Sequence, residues 1–393
     1  MAKTPIAPAS KTRPLIVLAI AYLLLLELGV LMAGWQHSLK GNGDFSAFYR
    51  TAVMARSGQL HNLYDAESQV RFDRNVFPSL QRYPPYFFYH PPYEIPLLLP
   101  LAFMSYRAAF WLWTALSFLL LVVSGYVLES EFQELRRASG IPVALLVLTC
   151  FPVIMVFLQG QDSALLLLLV AFAFRQFERK RDASCGILLG LALFKFQFIV
   201  PLVVILAFRR RLKLISAFVA TAAALLGASW MLVGTSGLRL YWHLLGNHTP
   251  EMAWRMPNLR GLVESLGGPP ALSVALSLCL VLWCGLTVAR MESGAFPLAT
   301  LCAVLVSYHG HVYDYVLLVI PVLCAVEEAL RKRSREYALW PALFFMMLPV
   351  YALLTRWHAT WTFALLFLIL AVTISRFRAK LSCVPARYRE VLT

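Results

Sequence analysis

Arg179-Lys180-Arg181-Asp182, then ASCGILLGLALFKFQFIVPLVVILAF over residues 183–208, then Arg209-Arg210-Arg211: the reading of this stretch decides the fold. The central run is almost wholly apolar and long enough to cross a bilayer, which takes about 20 residues. Read as one helix, it puts a basic cluster on each side of the membrane. It also throws every later cluster, including Arg331-Lys332-Arg333, to the outer side. Cytoplasmic loops collect Lys and Arg, so that arrangement is disfavoured. Read as two short helices folding back near Lys195, the same run keeps all the clusters inside. The hairpin reading is adopted, with Lys195 at its tip.

The rest of the chain supports a membrane setting. Sixty per cent of the 393 residues are apolar and 14% are charged, with a mean hydropathy of +0.69. A soluble domain carries about 25% charged residues. The formal charge of +15 comes from 35 Lys and Arg against 20 Asp and Glu. The positive-inside bias accounts for it, and no arginine stripe interleaved with aromatics points to nucleic acid. None of the seven cysteines forms a CxxC pair, so they read as small core residues.

Lys3, Lys11 and Arg13 precede the first apolar run and place the N-terminus in the cytoplasm. Leu31-Met32-Ala33-Gly34-Trp35 is a poor cleavage site, so that run is read as a retained helix. An outer loop over about 35–105 follows, then spans near 106–128, 141–158 and from 163 to Arg179. The hairpin comes next, then spans near 213–234, 270–290, 295–308, 313–329, 337–354 and 360–376, with a second outer loop over about 235–269. The expected fold is all-α: one polytopic membrane domain over residues 1–393, about twelve helices with both termini inside.

Few polar residues stand in or beside this apolar frame. Asp44 follows the first span, and behind it Phe45, Phe48, Tyr49 and Ala52 repeat at helical spacing. It reads either as the N-cap of a surface helix or as a general base at the lipid–water boundary. Tyr83-Pro84-Pro85-Tyr86 and His90-Pro91-Pro92-Tyr93-Glu94 are extended turns before a second surface helix over about 93–104. Tyr83, His90 and Glu94 are candidates to line a substrate cavity. Lys195 inside an apolar run costs about 2.5–3.5 kcal/mol on insertion and marks a functional site by default. A lipid phosphate reaching an outer cavity, or an ion pair with a carboxylate such as Asp162, would answer its charge. Gln161 and Asp162 sit on one outer turn, as helix caps or site residues. His309, His311 and Asp314 sit on another, where a divalent metal, a phosphate and sugar hydroxyls are equally admissible partners.

Taken in order, Gly43-Asp44-Phe45, Asn62-Leu63-Tyr64, Tyr89-His90-Pro91-Pro92, Pro100-Leu101-Ala102, Gly160-Gln161, Gly186 and Gly190 ahead of Lys195, Arg209–Arg211, and His311 with Asp314-Tyr315 make a pattern. It resembles glycosyltransferase family 87, within the GT-C glycosyltransferases. One departure is Lys195-Phe196 where the pattern has Lys-Pro; Pro201 comes later. The resemblance implies surface helices in the first outer loop and a cavity opening outward in the cell (inner) membrane. It implies a polyprenyl-phosphate sugar donor, mannose among the sugars, and a glycolipid or glycan acceptor. Asp44 would act as the base of an inverting displacement, with Lys195, Gln161, His309, His311 and Asp314 around the donor phosphate and sugar. No cofactor or metal is called for, although divalent-metal dependence stays open. The rival reading is a transporter or lipid-linked substrate translocase built around Lys195.

Overall fold

A computed structural model describes residues 12–78, 86–247, 253–332 and 347–382 of the protein. Tyr83, and much of the span expected over 337–354, lie outside the described residues. All regular structure among the described residues is helical. Helix α1 (Thr12–Leu39) continues past the expected exit at Gly34 and delivers the chain to Asp44. The segment expected as the first outer loop folds into α2 (Phe45–Arg56), α3 (Ala66–Val76) and a short run, α4 (Pro92–Phe103). Helix α5 (Tyr106–Glu129) returns to the far end, where α6 (Gln133–Ser139) makes a turn. The single span expected over 141–158 is two helices, α7 (Val143–Leu148) and α8 (Phe151–Gln159). Cys150 between them is extended, and Pro152 has no N–H to continue the ladder.

Then come α9 (Ser163–Glu178), α10 (Asp182–Leu191) and α11 (Phe196–Ala207). Helix α12 (Leu212–Gly246) continues beyond the expected exit near 234 through a kink at Gly234 (φ 68°, ψ −178°). Helices α13 (Leu259–Ser265), α14 (Pro270–Arg290), α15 (Ala295–Val306), α16 (Val319–Lys332), α17 (Met347–Arg356) and α18 (Thr362–Ser382) complete the chain. Among the described residues, five segments are long and apolar enough to cross a membrane: Val17–Leu39, Tyr106–Glu129, Asp182–Ala207, Leu212–Gly246 and Pro270–Arg290. Leu18, Leu25, Met32, Leu119, Met231 and Leu278 stand exposed along such helices, as lipid-facing side chains do.

The third of these segments is not straight. A continuous helix of that length would separate its ends by nearly 40 Å, yet Arg211 stands 3.2 Å from Asp182 and donates to the Phe177 carbonyl at 3.1 Å. The chain breaks at Lys195 (φ −110°, ψ 56°) and doubles back. Gly186 meets α12 at Leu214 and Gly190 meets it at Thr221, so α10 and α12 run parallel from one end of the molecule. A Cβ at Gly186 would stand 2.2 Å from the Leu214 carbonyl oxygen, so only glycine permits this approach. The basic clusters at 179–181 and 209–211 therefore share one end. Lys195 lies level with the start of α9, whose 16 residues measure about 24 Å.

Two apolar cores result. The larger unites α5, α7–α11, α14–α16 and α18. The smaller sits at the end formed by the α1–α5 segment and joins α2, α4 and the first turns of α5 to Tyr241 and Leu244 of α12. Helix α2 is buried almost all round rather than lying on the surface. It carries Arg50, fully buried, which holds Asp73 Oδ1 and Gln69 Oε1 at 2.8 Å and the Tyr86 carbonyl at 2.6 Å. One guanidinium thus ties α2, α3 and the segment leading to α4 into a cap over the site.

Candidate active site

Two turns pressed together create the site. The α1–α2 turn lies on the α8–α9 turn: Ser38 Oγ donates to the Leu158 carbonyl at 2.7 Å, and the Asp44 N–H donates to Gln159 Oε1 at 3.4 Å. Gly160 makes the reversal with φ +62°, and a Cβ there would stand 2.5 Å from that of Phe45. Asp44 occupies the N-cap position of α2, but its side chain makes no cap hydrogen bond. Its Oδ2 accepts from Gln161 Nε2 at 2.6 Å instead. Tyr313 lies close enough for a side-chain hydrogen bond with the same carboxylate. Asp44 remains only half-buried, so it is the one carboxylate of the site open to an incoming group.

Behind Asp44 the interactions run inward. Lys195 Nζ donates to Gln161 Oε1 at 3.0 Å, which fixes the amide with its NH₂ toward Asp44. The same ammonium stands 3.1 Å from Asp162 Oδ1 and 3.2 Å from Asp314 Oδ1. All three side chains are about 5% exposed or less. The charge that seemed to call for an external anion is thus met by the protein itself, through the ion pair with Asp162 and a second carboxylate. Ser163 Oγ donates to Asp314 Oδ1 at 2.8 Å, and the His311 N–H donates to its Oδ2 at 3.2 Å.

His90 and Glu94 join the cluster from the segment between α3 and α5. His90 Nδ1 is 3.0 Å from Glu94 Oε2 and 3.2 Å from Asp162 Oδ2. Phe88 stacks on the imidazole and Phe48 meets it edge-on, which fixes the ring plane. Burial alone would push His90 down, but the Glu94 and Asp162 carboxylates outweigh it and lift it to about 10. This corner of the site selects for positive charge. These three residues are the one group of His, Cys, Asp and Glu donors among the described residues that converges as a metal-ligand set. His309, His311 and Asp314 do not form such a group, and both Asp314 oxygens are engaged by Lys195, Ser163 and the His311 N–H.

The imidazoles of His309 and His311 pack edge to face at 4.5 Å, and His311 lies 5.4 Å from the Tyr313 ring. Burial lowers His311, against the opposing pull of Asp44 and Asp314, and the charges of Lys195 and Arg255 also reach it. Arg255 is exposed, stacks over Trp254, and forms no ion pair with a described carboxylate. The fold therefore gathers Asp44, Gln161, Lys195, His90, Glu94, His309, His311 and Asp314 around one set of turns. Asp162 belongs at the centre of that set, beyond the helix-cap and counter-ion roles that the sequence offered it. The Arg50 network was missed, because nothing in local spacing links residues 50, 69, 73 and 86.

The family model of glycosyltransferase family 87 matches residues 87–321, more than half of the chain. The match takes in every residue of the cluster except Asp44. No curated protein and no solved structure matches the chain.

Proposed function

The chain belongs to glycosyltransferase family 87, and from that premise we propose a polyprenyl-phosphate-dependent transfer with Asp44 as its base. The protein is a membrane-embedded glycosyltransferase. In our reading the sugar, mannose by the resemblance, leaves a polyprenyl phosphate for a glycolipid or glycan acceptor on the outer membrane face. Both chain ends lie on the basic, cytoplasmic side, and the short helices complete a single domain of about twelve membrane segments.

The step is a single inverting displacement. Asp44 takes the proton of an acceptor hydroxyl, the oxygen attacks the anomeric carbon, and the bond to the phosphate oxygen breaks with its electron pair. Polyprenyl phosphate departs. Gln161 orients the Asp44 carboxylate, and Lys195 orients Gln161. Lys195 is neutralised by Asp162 and Asp314, so it acts behind the reacting groups; His309, His311 and Arg255 meet the growing phosphate charge. The single observation that carries this reading is the half-open Asp44 carboxylate held at 2.6 Å by a buried amide. A membrane-borne donor also suits a site placed where the helices end.

The test is transfer from radiolabelled polyprenyl-phosphate mannose by the purified protein in vesicles, with membrane extract as acceptor. Label should enter the acceptor with the opposite anomeric configuration. Retention of configuration, or transfer only from a nucleotide sugar, contradicts the proposal.

A further inference from the structure

We infer that His90, Glu94 and Asp162 form a binding site for one divalent first-row cation of the Mn²⁺ or Zn²⁺ class. Three observations converge on it. The first is distance. His90 Nδ1 lies 3.0 Å from Glu94 Oε2 and 3.2 Å from Asp162 Oδ2, and the three donor atoms fall within 4.8 Å of one another. Ligands bound at about 2.0–2.2 Å sit roughly 3.0–3.5 Å apart along the edges of a coordination polyhedron.

The second is direction. His90 Nδ1 and Asp162 Oδ2 are buried, and neither takes part in a well-aligned hydrogen bond. An Nδ1–H lies in the ring plane and serves one acceptor, whereas here two carboxylates flank the nitrogen. The stacked Phe88 and the 2.7 Å bond from Tyr64 Oη to the His90 carbonyl hold the imidazole in that orientation.

The third is charge. Glu94, Asp162 and Asp314, all buried, set three carboxyl groups against the single ammonium of Lys195. A divalent cation answers that excess of acidic groups. Lys195 takes Asp162 through Oδ1, which leaves Oδ2 for the cation. One imidazole with two carboxylates suits Mn²⁺ and Zn²⁺ better than Ca²⁺ or Cu⁺. The bound ion fastens His90 and the start of α4 to the α8–α9 turn, and it does so whatever the sugar donor is.

The experiment uses the full chain, purified through a tag without histidines, stripped with chelator and re-equilibrated with Mn²⁺ or Zn²⁺. After desalting, elemental analysis should find one ion per wild-type chain. His90→Gln should lose it, while Asp44→Asn, altered outside the ligand set, should keep it. Pulsed electron paramagnetic resonance of the Mn²⁺-loaded wild type should detect an imidazole nitrogen, a readout that survives if the variant fails to fold. No retained ion with either cation, retention in folded His90→Gln, or bound Mn²⁺ without nitrogen coupling overturns the inference. In each of those cases His90 acts as an imidazolium held between two carboxylates.

Discussion

The Gln161 amide donates to the Asp44 carboxylate across 2.6 Å, joining residues 117 positions apart in the chain. Lys195 sets which way that amide points, so the proposed base is positioned by the tip of the α10–α11 hairpin.

Replacing the amide tests this arrangement. A hydrogen bond to a charged group contributes about 1.5–3 kcal/mol. Gln161→Leu should therefore lower kcat/KM about 10- to 100-fold, with the loss mainly in kcat. Steady-state transfer kinetics on folded protein would check this, and an unchanged kcat would detach Gln161 from the base.

Lys195 carries a stability prediction. Lys195→Met strands Asp162 and Asp314 in the interior, and breaking a buried pair costs about 3–5 kcal/mol. Thermal unfolding in detergent should fall sharply for the single variant. Lys195→Met with Asp314→Asn should recover part of the loss. Equal midpoints for wild type and the single variant would contradict the buried ion cluster.

The cap depends on Arg50. Arg50→Met removes a guanidinium that serves Asp73, Gln69 and the Tyr86 carbonyl at once, again about 3–5 kcal/mol. The outer loop should open locally, and limited proteolysis should cut between residues 57 and 92 faster than in the wild type. Lysine cannot span three acceptors in a planar fork, so Arg50→Lys should not restore protection.

Sidedness follows from the clustered basic residues. Ser57 lies exposed beside α2, and Ser130 lies exposed at the opposite end after α5. On intact cells a membrane-impermeant maleimide should label Ser57→Cys above the parent chain and leave Ser130→Cys unlabelled until the cells are opened. The reverse pattern would invert the proposed topology.

What was legible in the sequence was what charge and apolar length encode. Helix α5 was expected over about 106–128 and spans Tyr106–Glu129; α14 spans Pro270–Arg290, as its apolar run implied. The chain does double back at Lys195, for reasons that basic clusters alone supplied. Less legible were breaks and continuations decided by packing. Pro152 splits one expected span, and α12 runs on through Gly234 because Tyr241 and Leu244 find the core around Tyr64. Helix α3 is polar enough to pass for loop, and only the long-range Arg50 contact explains its place. Of the candidate site, the polar residues standing out from the apolar frame were readable, but their partners were not. Asp162 and Asp314 reach Lys195 from turns far away in sequence, where periodicity carries no information.

The most direct test of the central claim is sugar transfer from polyprenyl-phosphate mannose in vesicles, comparing wild type with Asp44→Asn at equal folded yield. Asparagine keeps the shape of Asp44 and removes its capacity to take a proton. General-base catalysis contributes about 10²- to 10⁴-fold, so transfer should fall by at least 10²-fold in the variant. Transfer by Asp44→Asn within a few-fold of the wild type would contradict Asp44 as the base.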